Sequence, residues 1–471
     1  MLKPEDVVIT SLGPCRFDSP LRPAREGGFV SDSARILQQA EVSDEEPLDP
    51  SVAFEKAGPR KRIFFQPSRT TAAIVTCGGL CPGLNNVIRS ATLELIFNYG
   101  VKRVLGIRYG FRGLNPQVGD PPIELTPEYV ERIHYLGGTV LGSSRGPQSP
   151  ELMVDFLERE QIDMLFCVGG DGTQRGAQAI FREVRRRGLT KAVVGIPKTI
   201  DNDLAGTDHC PGFGSAAKYI ATSVMEVYHD SRVYDTGMIT IIECMGRHAG
   251  WLTAASSLAA HKGNGPDLIY LPEVPFDIEQ FTASVEEIYK KNKKCLVAVS
   301  EGIHDKDGTF IAEYANKNMT KDSFGHAQLG GLASFLANYI KAKTGAKVRG
   351  IELSLLQRCA AHIASKTDIE ESFMAGKAAV ENAVAGATDK MVGFERKYVN
   401  GKYACETKLF DLTIVANAEK KVPREWINES GNGILEGFID YALPLIQGQT
   451  DLAIEDGLPR FVRLRKVKAE A

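Results

Sequence analysis

The chain has few of the features that would mark a special environment. No stretch reaches the roughly 18 apolar residues a membrane-spanning helix needs. The opening Met1–Leu2–Lys3–Pro4–Glu5–Asp6 lacks the apolar core of a signal peptide, so the expectation is a cytoplasmic protein. Neither sign of charge dominates. The 56 Lys and Arg against 59 Asp and Glu leave a formal net charge of -3, without the basic footprint of a nucleic-acid binder. The nine cysteines are scattered, and Cys77 and Cys81 lack a second pair or a histidine at zinc spacing. They read as reduced thiols. What remains, 43% hydrophobic and 24% charged residues, is an ordinary globular composition. At 471 residues the chain is too long for one core, so two or three domains are expected.

Residues 1–70 form a segment apart. Eight prolines from Pro4 to Pro67 break regular structure, and Asp44–Glu45–Glu46 precedes the basic Arg60–Lys61–Arg62. This reads as an arm that wraps the body or meets another subunit. From Thr71 the pattern becomes strand–turn–helix. Ala72–Thr76 is an apolar run, Cys77–Asn85 a glycine-rich turn, and Val87, Ile88, Ala91 and Leu95 keep helical period. Met164–Val168 and Ala192–Ile196 repeat the strand pattern. A second series holds strands at Met238–Glu243, Leu268–Leu271 and Leu296–Ser300, with helices expected at 248–260, 277–292 and 326–342. Residues 347–405 read as a further strand–helix–strand set, and 434–443 as an apolar helix. Buried strands alternating with helices predict α/β architecture: two doubly wound, Rossmann-like parallel-sheet lobes with a cleft between them. The division is an arm over 1–70, a donor lobe over 71–213 completed by 357–405, an acceptor lobe over 214–356, and a C-terminal extension over 406–471.

Two segments carry the chemistry. Val168–Gly169–Gly170–Asp171–Gly172–Thr173–Gln174–Arg175–Gly176 is a strand-to-helix turn that lets backbone N–H groups approach an anion at a helix N-terminus. The plainer reading is a tight turn with Asp171 capping the helix. Pro197–Lys198–Thr199–Ile200–Asp201–Asn202–Asp203 follows the next apolar strand. Alone, Asp201–Asn202–Asp203 would pass for a solvated turn. Beside the first segment it supplies a cation, a hydroxyl and two carboxylates, the parts that phosphoryl transfer requires.

The chain resembles the phosphofructokinase family over roughly residues 70–405. The resemblance rests on Gly78–Asn85, Tyr109–Leu114, Leu141–Arg145, the two phosphate segments, Met245–Gly246–Arg247 and Glu301–Gly302. Thr173–Gly176 together with Lys198 is similar to the plant and protist subgroup. The resemblance implies Asp201 as the general base for the 1-hydroxyl of fructose 6-phosphate, with Arg145, Lys198 and Thr199 around the transferring phosphoryl group. It implies Gly79, Arg145, Gly170, Asp171, Gly172 and Thr173 at the ATP phosphates, and Asp171 and Asp203 at Mg²⁺. Thr199, Asp201, Asp203, Met245, Gly246, Arg247 and Glu301 would meet the sugar, and Arg349 and Arg358 its 6-phosphate, since guanidinium forks suit phosphate. Two positions depart from compact bacterial members: Leu355 stands where they place a histidine, and Met238 where they place an arginine from a neighbouring subunit. The resemblance also implies an allosteric homo-oligomer, a homodimer or homotetramer.

Two residues bear on the donor. In this family glycine at position 172 goes with ATP, because a carboxylate there would crowd and repel the nucleotide α-phosphate. Lys198 goes with pyrophosphate, but its cation serves either donor. ATP-dependent 6-phosphofructokinase is therefore expected, with pyrophosphate–fructose 6-phosphate 1-phosphotransferase as the alternative. A lipid or nicotinamide dinucleotide kinase would account for 169–173 but not for the sugar-pocket motifs. An inactive regulatory subunit would usually lose the base or the glycines.

Overall fold

The structure, a computed structural model, describes residues 3–22, 28–37, 50–315 and 331–464. The larger of its two main sheets begins with β1 (Thr71–Thr76), β2 (Arg103–Ile107), β3 (Ile123–Glu124), β4 (Met164–Gly169) and β5 (Ala192–Pro197). The chain then crosses on a long helix, Phe213–Arg232, to a smaller parallel sheet of β6 (Met238–Cys244), β7 (Leu268–Tyr270), β8 (Lys294–Ser300) and β9 (Val348–Glu352), in the order β7-β8-β6-β9. It returns as the antiparallel hairpin β10 (Lys390–Val399) and β11 (Lys402–Asp411), completing the seven-stranded order β11-β10-β5-β4-β1-β2-β3. The hairpin carries the larger sheet beyond residue 405, where the sequence suggested that a C-terminal extension begins. Its outer half reads as polar because it is an edge strand solvated on one side.

Successive residues of β1 fill opposite faces of that sheet. Ala72 and Ile74 join one core, with α1 (Leu84–Leu93) packed on it, while Ala73 and Val75 join another against α2 (Pro150–Arg159) and α3 (Asp171–Arg186). That is why these strands read as unbroken apolar runs rather than alternating ones. The first core continues through α4 (Phe213–Arg232) to Ile242, Leu296 and Ala298 of the smaller sheet, so both sheets share one interior. The far face of the smaller sheet is covered by α5 (Ile278–Asn292) and α6 (Leu332–Thr344).

Local chemistry sets the ends of these helices. Ser149 accepts a hydrogen bond from Leu152 N at 3.3 Å with Pro150 in the first turn of α2, and Asp277 caps α5 through Glu279 N and Gln280 N. The helix expected over 248–260 is a short α-turn, Trp251–Ala254, running into 3-10 geometry over Ala255–Lys262. There Ser256 and Ser257 donate to carbonyls three residues back, which favours the tighter winding. The third expected helix begins at Leu332. Residues 326–330 lie outside the described residues, as do Asp44–Glu45–Glu46 of the arm. The described arm lies on the body, with Leu12 N donating to Gly386 O at 3.0 Å and Lys390 Nζ to Val8 O at 2.6 Å. All nine cysteines are free.

Beneath the hairpin a buried cluster ties the loop after β5 to α7 (Lys366–Val384). His209 bonds Asp208 through Nδ1 and Glu371 through Nε2, each at 2.7 Å, and Tyr403 donates to Glu371 at 2.6 Å. Burial works against a charge on His209, but the carboxylates of Glu371 and Asp208 outweigh it and raise the imidazole to about 9. Cys405 stands close enough to complete a possible metal triad with His209 and Glu371. An imidazolium with both N–H groups donated to carboxylates has no lone pair to give an ion, so the arrangement is a charge clamp.

The clamp makes a pH prediction. A histidine raised on folding contributes fully below its unfolded value near 6.5, and the contribution is lost as pH rises through about 9. Unfolding free energies from denaturant titrations at pH 6 to 10 should fall across that window, by at most on the order of 3 kcal/mol. His209→Gln should flatten the decline. An equal decline in that variant would remove the clamp as its cause.

Candidate active site

Both sheets aim their strand ends at one cavity of about 300 Å³. From the larger sheet come the turns after β1, β4 and β5. From the smaller come Met245, after β6, and Arg358, beyond β9. In the larger sheet β1 pairs with both β2 and β4, so the glycine turns after β1 and β4 flank the point where strand order reverses.

The α3 turn is built for close approach. Gly170 caps the helix, and its carbonyl accepts from Thr173 N and Gln174 N at 3.0 Å. The first N–H groups of this 16-residue helix therefore face the cavity, where its dipole favours an anion. Asp171 pairs with Arg175 at 2.7 Å, both side chains about half exposed. Thr173 is buried against Gly169. A Cβ on Gly172 would meet nothing nearer than Arg175 Nη2 at 3.9 Å, leaving the cavity side open.

Gln174 is a residue that the motif reading passed over. Its amide donates to Gly169 O at 2.8 Å and Ile196 O at 3.2 Å, tying the ends of β4 and β5 together. Gly195 is glycine because a Cβ there would stand 2.0 Å from Gln174 Oε1.

Lys198 is buried, its N–H on Gly169 O at 3.1 Å and its Nζ on Gly79 O. Its charge therefore sits between the two glycine turns. Thr199 Oγ1 accepts from Asp201 N at 3.1 Å. Asn202 is fully buried at φ 56, a left-handed position that asparagine tolerates better than most residues. Its side chain donates to Tyr441 OH at 2.9 Å, accepts from Cys210 N at 3.0 Å, and meets Lys420 Nζ at 3.3 Å. Those contacts turn Asp201 and Asp203 toward the cavity.

The carboxylates interact strongly. Burial raises the Asp201 carboxyl, the Asp171 charge adds to that, and Lys198, Arg358 and the Thr199 hydroxyl oppose it. Asp203 is pushed up to about 8 by burial, then by the charges of Asp201 and Asp171. Asp203 Oδ1 is buried with no hydrogen-bond partner among the described residues. Two deep acids and a third beside them, with an oxygen left unsatisfied, suit a hard divalent cation such as Mg²⁺.

Other expected residues sort clearly. Arg145 lines the cavity on a loop whose Ser143 donates to Gly78 O at 2.6 Å. Arg358 also lines it and lies against the glycine turn: a Cβ on Gly79 would fall 2.9 Å from Arg358 Nη1. Glu301 accepts from Gly246 N at 3.2 Å and is raised to about 7 by burial, with the Asp201 charge adding. Gly246 has φ +134, and a Cβ would sit 2.6 Å from Ala249 O. Arg247 packs its carbonyl against Gly302, where a Cβ would be 1.9 Å away.

Arg349 is not brought to the cavity. It sits early in β9, opposite Thr240 of β6, while the ligand-facing ends lie further along both strands. Its guanidinium pairs with Asp230 at 3.4 Å on an exposed face.

Comparison with known proteins places this geometry. The pattern of the family described as Phosphofructokinase matches residues 71–351. An ATP-dependent 6-phosphofructokinase of Amycolatopsis methanolica is 38% identical over 86% of this chain and 90% of its own length. A pyrophosphate–fructose 6-phosphate 1-phosphotransferase of Xanthomonas campestris is 43% identical over 67% of this chain and 76% of its own. A solved pyrophosphate-dependent phosphofructokinase of Nitrosospira multiformis superposes at TM-score 0.75 with 32% identity, over 84% of this chain and 97% of its own.

Proposed function

The chain belongs to the phosphofructokinase family, and from that premise we propose that it transfers the γ-phosphoryl group of ATP to the 1-hydroxyl of fructose 6-phosphate. The observation that carries the choice of donor is Gly172. It stands in the first turn of α3, where a side chain would have open space ahead of it and a nucleotide α-phosphate has room.

In this reading Asp201 accepts the hydroxyl proton as the sugar oxygen attacks phosphorus and the bond from the γ-phosphorus to the bridging oxygen breaks, releasing ADP. A carboxylate whose proton affinity is already raised by burial suits that task. Lys198, Arg145 and the α3 N–H groups face the equatorial oxygens, where charge spreads in the transition state. Asp171 and Asp203 would hold Mg²⁺, which supplies charge neutralisation at the donor phosphates. Met245, Gly246, Arg247 and Glu301 would line the sugar subsite, with Arg358 at a phosphate.

The lobes would divide the work, 71–213 with 357–405 on the donor and 214–356 on the sugar. Arg349, turned outward here, would act only across a subunit boundary in a homodimer or homotetramer.

Pyrophosphate is the second reading, favoured by Lys198 with its Nζ held between the glycine turns. Phosphorylation of fructose 6-phosphate with ATP and with pyrophosphate, assayed side by side at saturating Mg²⁺, separates the two. ATP is expected to give the larger kcat/KM. A preference for pyrophosphate would overturn the donor assignment, and inactivity with both would overturn the reaction.

A further inference from the structure

The segment Leu141–Gly142–Ser143–Ser144–Arg145 gives the site more than its arginine. Its first residues are anchored from outside, Tyr109 N donating to Leu141 O and Thr76 Oγ1 to Gly142 O, each at 2.8 Å. Ser143 reaches across to the glycine turn after β1. Its hydroxyl donates to Gly78 O at 2.6 Å, and Gly78 N returns a 3.3 Å bond to Ser144 O.

Gly78, Gly79, Ser144 and Arg145 line the cavity, and Ser143 stands behind them. Gly78 O, held by Ser143, therefore faces away from the cavity. In a trans peptide the carbonyl and the following N–H point in opposite directions. Gly79 N–H is thus turned to the cavity side, where it meets no acceptor among the described residues.

The glycines do not decide that orientation themselves. Gly78 has φ +85, and a Cβ there would meet nothing within 4 Å. A peptide between two glycines can turn over at little steric cost. Turned over, it would set a carbonyl oxygen against the phosphate oxygens, where the site needs a donor. The next peptide is fixed separately, because Gly79 O accepts from Lys198 Nζ.

We propose that Ser143 is a positioning residue whose hydroxyl locks the Gly78–Gly79 peptide, with Gly79 N–H toward the donor phosphates, and by the same bond ties the Arg145 loop to that turn. The proposal rests on reading this cavity as the site of phosphoryl transfer.

Ser143→Ala removes the hydroxyl and leaves the anchors at Leu141 and Gly142, so the variant should melt within about 4 °C of wild type. Its kcat with the preferred donor should fall at least ~tenfold, the scale on which a lost donor and a misplaced guanidinium act. KM for fructose 6-phosphate should stay within about twofold, since other turns build the sugar subsite. Ser143→Thr keeps the hydroxyl and should recover most of the turnover. The cost of Ser143→Ala should shrink in an Arg145→Ala background, where one of the two groups it positions is already gone.

Donor binding gives a readout apart from turnover. The rise in melting temperature that the donor causes without sugar should be smaller in Ser143→Ala, while the rise caused by fructose 6-phosphate should match wild type. Wild-type turnover and a wild-type donor shift in Ser143→Ala would overturn the proposal. So would equal losses in Ser143→Ala and Ser143→Thr, since the hydroxyl would not be what matters. A cost undiminished by Arg145→Ala would remove the Arg145 half. A wild type inactive with both ATP and pyrophosphate would fail the reaction instead, and the donor-induced shift alone would then decide for or against Ser143.

Discussion

Asp201→Asn is expected to lower turnover at least ~10²-fold while fructose 6-phosphate still binds. The substitution keeps the size and the backbone contact to Thr199 and removes only the proton acceptor. It also deletes one of three like charges at the cavity, charges that add to burial in raising Asp203 to about 8. Thermal stability should therefore be unchanged or higher, so a loss of activity cannot be put down to unfolding. Calorimetric titration with fructose 6-phosphate, run beside the kinetics, separates binding from chemistry. Near-normal turnover in the folded variant would show that another group takes the proton.

Gly172→Asp should remove ATP-dependent activity steeply. Gly172 is not among the residues with positive φ, and a Cβ there has room, so the backbone accepts the change without strain. What the new carboxylate meets is charge. Arg175 is its nearest neighbour but is already engaged by Asp171, so little compensation is at hand. An uncompensated like-charge contact with a nucleotide phosphate in a partly desolvated site costs several kcal/mol. About 3 kcal/mol corresponds to roughly a hundredfold in kcat/KM. Pyrophosphate has no α-phosphate to repel, and activity with it should survive or rise. Full ATP activity in a variant of wild-type melting temperature would refute the role given to Gly172.

Much of the scaffold was legible because its signals are local. Apolar runs such as Met164–Val168 buried on both sheet faces, and the glycines after them, announce parallel strands feeding helix N-termini. The same holds for the acids: Asp171, Asp201 and Asp203 stand within or just after strand-end turns, and alignment of the strands brings them together. Register separates the two expected arginines: the pairing of β9 with β6 leaves Arg349 opposite Thr240, with Arg358, past the strand end, at the cavity.

Asn202 did carry a local signal, an asparagine between two aspartates where the backbone turns left-handed. Its partners did not. Lys420 and Tyr441 lie 218 and 239 residues further on, in a segment whose composition advertises nothing.

That separation has a consequence for how the protein is made. At ~5–20 residues per second, a ribosome that has finished Asn202 needs on the order of ten to fifty seconds more to reach Tyr441. Both glycine turns can already be in place by then, but the left-handed residue between the two acids is still without the hydroxyl and the ammonium that hold it. The nascent chain thus carries its acids before it can aim them, and competence arrives only once the segment containing Tyr441 has left the exit tunnel.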